Sequence, residues 1–195
     1  MTVYVEYGNV IKEIQMQQDE IDYIISHPGR NKLIRNLCRD LKGNTLVLFS
    51  YVEKHGDVLY DLINSKVGDT RKVFFIHGGV DTEEREAARQ ICETEQDAII
   101  VASYGTFSTG INIRNLHNVV FASPSKSRIR NLQSIGRVLR KGDNKSQAVL
   151  YDISDDISRK NRLNYTLRHL KERIEVYNEE NFDYEIIPVN IRKHD

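Results

Sequence analysis

The sequence predicts an α/β fold in which a parallel sheet carries helices on both faces. Segments rich in apolar and β-branched residues alternate with segments of helical periodicity, and the apolar segments cover 45–49, 73–76, 98–102, 118–121 and 148–151. Near-continuous apolar runs of this kind are typical of strands buried on both sides, as in parallel sheets. Helices are therefore expected between strands, around Val52 to Ile63 and around Thr82 to Cys92.

Two helices are expected ahead of the first of these strands. One stops at Gly43 and has an apolar stripe at helical spacing, formed by Leu33, Ile34, Leu37, Cys38 and Leu41. Pro28-Gly29 separates it from a shorter helix around Asp19 to Ser26. Both helices are available to cover a face of the sheet.

Two elements are expected after the last strand. A long amphipathic helix is predicted by apolar residues that alternate at spacings of four and three, namely Leu163, Leu167, Leu170, Ile174 and Tyr177. This seam is too short to require a coiled coil, so packing on the same domain is favoured over a dimer helix. The segment from Tyr184 to Ile191 looks extended but contains Pro188, and it can be at most an edge strand.

The composition is that of a globular protein. Apolar residues make up 39% and charged residues 29% of the 195 positions, and the apolar runs are far shorter than a bilayer span. The N-terminus lacks the pattern of a secretion signal, so we expect an intracellular protein. Cys38 and Cys92 lie in apolar helical patterns without metal-type spacing, and we expect them to be reduced, buried thiols rather than a disulfide.

A formal net charge of zero argues against a nucleic-acid partner, but the average conceals a basic block at 124–145. This block contains seven basic residues and one acidic residue, which gives a local formal charge of +6. The basic residues are Lys126, Arg128, Arg130, Arg137, Arg140, Lys141 and Lys145, and the acidic residue is Asp143. A block of this kind can neutralise phosphates. Charge is therefore segregated, as a protein that binds with one face requires.

Within the basic block, Gln133, Arg137 and Arg140 recur at i, i+4 and i+7 and share one face of a predicted helix. The far side collects apolar residues that can be buried, so the arginines face outward. Arginine suits a triphosphate because its planar, permanently charged fork can hold two phosphate oxygens. The alternative is the solvated basic face of an ordinary helix.

Small polar residues follow three of the predicted strands. They are Ser50-Tyr51, His77-Gly78-Gly79 and the run from Ser103 to Asn112. Ligands of parallel α/β sheets bind beyond the carboxyl ends of the strands, and hydroxyl groups and backbone amides can follow a phosphodiester chain. The alternative is ordinary loop composition. His77 is either a packed turn residue or a group that positions a phosphate, and it has no second histidine at metal-binding spacing.

Four segments resemble motifs of superfamily 2 helicases. Gln133 to Arg140 resembles motif VI, Gln-x-x-Gly-Arg-x-x-Arg; Ser103 to Ile113 resembles motif V; Leu46 to Ser50 resembles motif IV; and His77-Gly78-Gly79 with Arg85 resembles the segment between them. Over residues 33–156 the chain is similar to the second RecA-like domain of these helicases, and most closely to bacteriophage UvsW-type helicases. The resemblance implies a RecA-like fold and a DNA-dependent motor.

The resemblance also implies residue roles. Arg137 and Arg140 would be catalytic and would reach the γ-phosphate of ATP. Other nucleotide contacts would come from Gln133, Gly136, Gly110 and Asn112. Contacts to nucleic acid would come from Ser50, His77, Gly78, Ser103, Tyr104, Thr106, Lys126 and Arg128, and no residue is expected to bind a metal.

The sequence contains neither a P-loop nor an Asp-Glu pair directly after a strand, the features that hold nucleotide phosphates and magnesium. We therefore expect a fragment of a longer motor, in which ATP and Mg²⁺ are bound mainly by an N-terminal RecA-like P-loop domain of the same protein. The other expected partner is DNA, branched by resemblance. No membrane partner is expected, the protein is expected to be monomeric, and its location is the cytoplasm of a bacterial host if it is phage-encoded.

The corresponding domain division is an N-terminal extension or inter-domain connection (1–30), a helicase C-terminal domain (31–156) and a C-terminal helix with an extended tail (157–195). Two other functional classes stay open. One is a stand-alone nucleic-acid-binding module without motor activity. The other is a nucleotide-binding domain with a small-molecule substrate, which is disfavoured because Phe49-Ser50-Tyr51 leads into a helix without a glycine-rich loop.

Overall fold

The structure of the chain is a computed structural model. It describes residues 1–7, 17–79, 81, 83, 86, 90, 94–108, 115–124, 148–158 and 163–191. Within these residues no helix is long and apolar enough to cross a lipid bilayer.

Seven strands form one sheet in which every described pairing is parallel. The spatial order is β3-β4-β2-β5-β6-β1-β7. The strands are β1 (Thr2–Tyr7), β2 (Thr45–Phe49), β3 (Val73–Ile76), β4 (Ile99–Ser103), β5 (Asn118–Phe121), β6 (Val149–Asp156) and β7 (Ile186–Ile191). The predicted parallel sheet is confirmed, and β7, which contains Pro188, is an edge strand as expected.

Strand β1 was not predicted. Residues 2–7 fall in the segment expected to be an extension, yet they lie between β6 and β7, with Thr2 paired to both Asp152 and Ile186. The alternating, β-branched and aromatic sequence Thr2-Val3-Tyr4-Val5-Glu6-Tyr7 is the signal that could have revealed it. The first residues of the chain therefore complete the sheet that carries the rest.

Helices connect and cover the strands. They are α1 (Gln17–Ser26), α2 (Pro28–Asp40), a π-helical turn (Val52–Gly56), α3 (Asp57–Val67), the short α4 (Tyr104–Ser108) and α5 (Tyr165–Glu179). The helix predicted around Val52 to Ile63 thus starts as a π-helical turn. Of the helix predicted around Thr82 to Cys92, the described residues Glu83, Glu86, Gln90 and Thr94 are helical.

Local signals explain the boundaries of α2. The Nδ1 atom of His27, the N-cap residue, accepts the N–H of Arg30 at 3.3 Å, and Pro28 occupies the first turn. After the helix, Gly43 has a φ of 82°, and a Cβ at this position would lie 2.6 Å from the ring of His117. Only glycine fits both this conformation and this space.

Two apolar layers cover the faces of the sheet. The layer with α2 and α3 contains Ile34, Cys38 and Ile63. The opposite layer contains Leu48, Phe121 and, from α5, Tyr177. Cys38 is fully buried, and burial raises the pKa of its thiol to about 12, so it stays protonated. Cys92 lies outside the described residues.

Helix α5 begins two residues after Leu163, so that leucine lies ahead of the helix and is exposed. Leu167, Leu170 and Tyr177 are buried. At the N-terminus of α5 the buried carboxylate of Glu20 accepts the N–H groups of Tyr165 and Thr166 at 2.8 and 2.6 Å. A carboxylate is favourable at this end of a helix, and here it joins α1 to α5.

Candidate functional site at the carboxyl edge of the sheet

The carboxyl ends of four neighbouring parallel strands, β3, β4, β2 and β5, lie side by side along one side of the sheet, which we call the carboxyl edge. Phe49 of β2 pairs with Ser103 of β4, and Leu48 pairs with Phe121 of β5. The segments that leave these strands therefore start side by side. In a parallel sheet this is the edge at which ligands bind.

Ser50 is exposed at the end of β2, and its main chain is held in place. Its N–H donates to the Oγ atom of Ser123, which follows β5, at 3.0 Å. Ser123 is fully buried. The Ser50 side chain is thus presented to solvent from a fixed main-chain position.

Ser103 caps the first turn of α4. Its Oγ atom lies 2.7 Å from the Oγ1 atom of Thr106 and accepts the Thr106 N–H at 3.3 Å. Thr106 is only 4% exposed, whereas Gly105 is exposed and a Cβ there would meet nothing within 4 Å. The accessible part of this turn is consequently the main chain around Gly105.

Tyr104, one of the expected nucleic-acid contacts, places its side chain in the core. It is 6% exposed, its ring meets Phe121 edge to face at 5.8 Å, and its hydroxyl donates to the carbonyl oxygen of Ser123 at 3.4 Å. Only the main chain of this residue is available to a ligand. Its side chain ties α4 to the end of β5.

His77 is half-buried at the end of β3. Its Nδ1 atom accepts the N–H of Gly79 at 3.1 Å, and its ring lies 5.0 Å from that of Phe75. These contacts fit the interpretation of His77 as a turn residue. Gly78 is exposed, and a Cβ there would meet nothing within 4 Å. Across the described ranges, no group of three histidine, cysteine or acidic residues could hold a metal ion.

The remaining predicted site residues lie outside the described residues. They are Gly110, Asn112, Lys126, Arg128, Gln133, Gly136, Arg137 and Arg140. The described chain ends at Pro124, directly after Ser123, and resumes at residue 148 just before β6. The segment that carries the basic block therefore leaves the sheet at the carboxyl edge, beside Ser50 and α4.

The helicase conserved C-terminal domain family matches residues 29–142. The chain belongs to this family. Its RecA-like fold agrees with that assignment, and the similarity to UvsW proposed from the motifs is confirmed by a relative. Over 187 residues the chain is 41% identical to the ATP-dependent DNA helicase uvsW of Enterobacteria phage T4, a match that covers 89% of this chain and 36% of that protein.

Other relatives and solved structures agree with this helicase domain. A putative ATP-dependent RNA helicase of Acanthamoeba polyphaga mimivirus is 29% identical over 143 residues, covering 66% of this chain and 26% of that protein. The crystal structure of T4 UvsW matches with a TM-score of 0.75 at 37% identity, covering 97% of this chain and 41% of that one. The C-terminal domain of the DEAD-box protein Dbp5 shares the fold, with a TM-score of 0.60 at 14% identity, over 97% of this chain and 89% of that one. The chain spans about a third of the length of one of these curated relatives and about a quarter of the other.

Strand β6 extends beyond the apolar segment predicted at 148–151 and includes the acidic run Asp152 to Asp156. The run lies within β6, and two of its carboxylates form buried ion pairs. On one face of the sheet Asp155 accepts from Arg30 at 2.6 and 3.0 Å and from the hydroxyl of Tyr7 at 2.8 Å. Strands buried on both faces usually exclude carboxylates, and these are tolerated because each is paired.

On the other face, Asp152 accepts from Arg173 of α5 at 2.6 and 3.1 Å and from the hydroxyl of Tyr177 at 2.7 Å. Burial is the largest single influence and lowers the pKa of Arg30 and of Arg173, but the facing aspartate and neighbouring tyrosines together raise the pKa of each by more, so both arginines stay charged. Burial, followed by the charge of Asp155, raises the pKa of Tyr7 well above its usual value. No local pattern in the sequence reveals these pairs, because their partners lie 125 and 21 positions apart in the chain.

Proposed function

We propose that this chain is the C-terminal motor domain of an ATP-dependent DNA helicase or translocase that acts on branched DNA in repair, recombination and replication restart. The observation that carries the proposal is the 41% identity, along 187 residues, to a protein named an ATP-dependent DNA helicase. The carboxyl edge supports it, because Ser50, Ser103 and the start of the basic block lie at the same edge of one sheet.

The nucleotide contacts belong to the segments that resemble motifs V and VI. Arg137 and Arg140 act on the transferred phosphate, because guanidinium groups can stabilise charge that shifts between phosphate oxygens. The other nucleotide contacts are Gln133, Gly136, Gly110 and Asn112, whose amide groups fit the hydroxyl and phosphate oxygens of a nucleotide. ATP and Mg²⁺ are held mainly by an N-terminal P-loop domain of the same protein. Bound magnesium supplies charge neutralisation for phosphoryl transfer to water.

The nucleic-acid contacts lie along the carboxyl edge. Ser50, His77, Gly78 and Ser103 face a phosphodiester chain, and Tyr104 and Thr106 contribute main-chain groups because their side chains are buried. Lys126 and Arg128 add positive charge. Such contacts hold the backbone and do not read base sequence, as a translocating motor requires.

The proposal is tested by ATP turnover with and without the P-loop domain. The pure 195-residue chain is expected to hydrolyse ATP no faster than background, because no residue in it replaces the P-loop lysine. The motor assembled from this chain and its P-loop domain is expected to hydrolyse ATP faster when DNA is added. Magnesium-dependent turnover by the chain alone, or a motor indifferent to DNA, would contradict the proposal.

We expect the isolated chain to bind DNA weakly, without sequence preference and with strong salt dependence. Affinity for unrelated duplex and forked DNAs is expected to fall by about a hundredfold between about 50 and about 200 mM salt, since several phosphates release counterions. Fluorescence anisotropy over a salt series measures this. Preference for one base sequence, or affinity that salt does not change, would contradict backbone binding.

A matched pair of charge deletions locates the DNA surface. Arg128→Gln removes a charge from the basic block and is expected to lower the magnitude of the salt slope by about one. Lys66→Gln removes an exposed charge at the last turn of α3, which lies toward the opposite edge of the sheet. That control is expected to leave the slope unchanged. Equal effects of the two substitutions would mean that binding is not confined to the carboxyl edge.

A further inference from the structure

Ser123 joins three segments of the carboxyl edge. Its Oγ atom accepts the N–H of Ser50 at 3.0 Å, and its carbonyl oxygen accepts the hydroxyl of Tyr104 at 3.4 Å. The next residue, Pro124, begins the segment that carries the basic block. The buried Ser123 thus contacts the last residue of the segment that resembles motif IV and the second residue of the segment that resembles motif V. It also directly precedes the basic block, within which the segment that resembles motif VI lies.

His55 extends this connection into the interior. Its Nδ1 atom lies 2.7 Å from Ser123 Oγ, and its Nε2 atom lies 3.2 Å from Asn31 Oδ1. Asn31 Nδ2 in turn donates to the carbonyl oxygen of Ile25 at 2.9 Å. His55 is fully buried and sits in the π-helical turn, a type of distortion that is frequent at functional sites. The chain of hydrogen bonds therefore runs from the end of α1 to Ser50.

For a neutral imidazole at His55, the partners determine the direction of each hydrogen bond in this chain. The Ile25 carbonyl can only accept, so the Asn31 amide nitrogen faces it and the Asn31 oxygen accepts from His55 Nε2–H. The Nδ1 atom of a neutral imidazole then accepts the hydroxyl proton of Ser123. The lone pairs of Ser123 Oγ accept the N–H of Ser50. We call this chain of hydrogen bonds the relay. Each polar group in the buried relay has a partner, so displacing one of its side chains would leave a buried polar group unpaired, and the relay therefore resists displacement.

We propose that Ser123 and His55 are positioning residues that make ATP turnover depend on DNA bound at Ser50. The proposal rests on the proposed function, since it assigns DNA contact to Ser50 and phosphate contact to the segment after Pro124. A DNA phosphodiester that binds Ser50 contacts a residue whose main-chain N–H is held by the Ser123 hydroxyl. Ser123 is next to Pro124, so the same hydroxyl sets the position from which the arginine-bearing segment departs.

The test uses the motor that contains this chain and its P-loop domain. Ser123→Ala removes only the hydroxyl that links Ser50 to His55. The ratio of DNA-stimulated to DNA-free ATP turnover is expected to fall about tenfold, as for displaced catalytic groups in general. Thermal unfolding of the same variant reports whether it folds, and turnover at saturating ATP and DNA separates a loss of stimulation from a loss of DNA affinity.

Two replacements of His55 form a matched pair. The amide of His55→Asn reaches the position of the ring Nδ1 atom and can accept from Ser123, whereas that of His55→Gln reaches the position of Nε2 and can bond only Asn31. Both variants remove the ring and leave a similar space. We expect His55→Asn to keep most of the DNA stimulation and His55→Gln to lose it about as fully as Ser123→Ala.

The outcomes separate the positioning role from the proposed function. If Ser123→Ala keeps the stimulation ratio of the unaltered motor, the positioning role is overturned and the proposed function stands. If His55→Asn and His55→Gln lose stimulation equally, in proportion to their loss of thermal stability, the relay is only structural and the proposal is likewise overturned. An unaltered motor that DNA does not stimulate overturns both.

Discussion

Replacing Arg140 with lysine in the complete motor is expected to lower ATP turnover by about a hundredfold to a thousandfold at saturating ATP and DNA. Lysine keeps the positive charge but loses the planar fork that can hold two phosphate oxygens in the transition state. Arg137→Lys is expected to act in the same direction. The measurement is steady-state turnover, with DNA affinity determined in parallel by anisotropy.

The same variants distinguish catalysis from DNA anchoring. If the two arginines act on phosphoryl transfer, DNA affinity stays nearly constant while turnover falls. If they bind DNA instead, affinity and its salt slope fall and turnover at saturating DNA survives. Ser134→Ala provides the control, because Ser134 lies off the predicted stripe and its loss should change neither quantity. Near-normal turnover by Arg140→Lys would show that Arg140 is not a catalytic residue.

Replacing Arg30 with methionine is expected to lower the free energy of unfolding by about 3 to 5 kcal/mol. Methionine keeps a long side chain in place of the apolar stem of arginine, but it leaves the carboxylate of Asp155, which is 1% exposed, without its cation. Breaking one partner of a buried ion pair costs far more than the pair contributes, because the remaining charge stays out of water. Urea denaturation of the 195-residue chain at neutral pH measures the change.

Arg39 supplies a control with the same substitution and a similar geometry. It pairs with Asp40 through a contact of 2.6 Å, as short as that between Arg30 and Asp155, but its side chain is 43% exposed. Arg39→Met is expected to leave the unfolding midpoint unchanged, since exposed ion pairs contribute little. Asp155→Asn added to Arg30→Met should restore much of the stability by removing the stranded charge. Equal effects of Arg30→Met and Arg39→Met would contradict this account.

Local patterns predicted most of the fold. The apolar runs predicted β2 to β6, because strands that are buried on both faces are apolar along their length. The helical stripe before Gly43 predicted α2, because a helix that is buried on one side has apolar residues at helical spacing. The predicted edge position of the last strand followed from Pro188, which has no N–H for a second neighbour. Strand β1 was missed although its residues have strand character.

The sequence predicted which segments form the candidate site, but it did not predict which of their side chains are buried or which side chains contact each other. Ser50, Ser103 and His77 follow predicted strands, and the parallel sheet brings those strand ends to one edge. The burial of Tyr104 and Thr106 was not predictable, because a loop residue is turned inward by neighbours such as Phe121 that are distant in sequence. Likewise, no local pattern pairs His55 with Ser123.

The sequence by itself determined the fold class, the family of the domain and the segments that carry its chemistry, since these depend on periodicity and on short motifs of neighbouring residues. Only the tertiary structure decided which charges are buried and which hydroxyls hold the carboxyl edge together. Arg30 and Asp155 are 125 positions apart, and Ser50 and Ser123 are 73 apart. Such partners meet only when the sheet is assembled. They then pair with each other, because a buried polar group without a partner costs free energy.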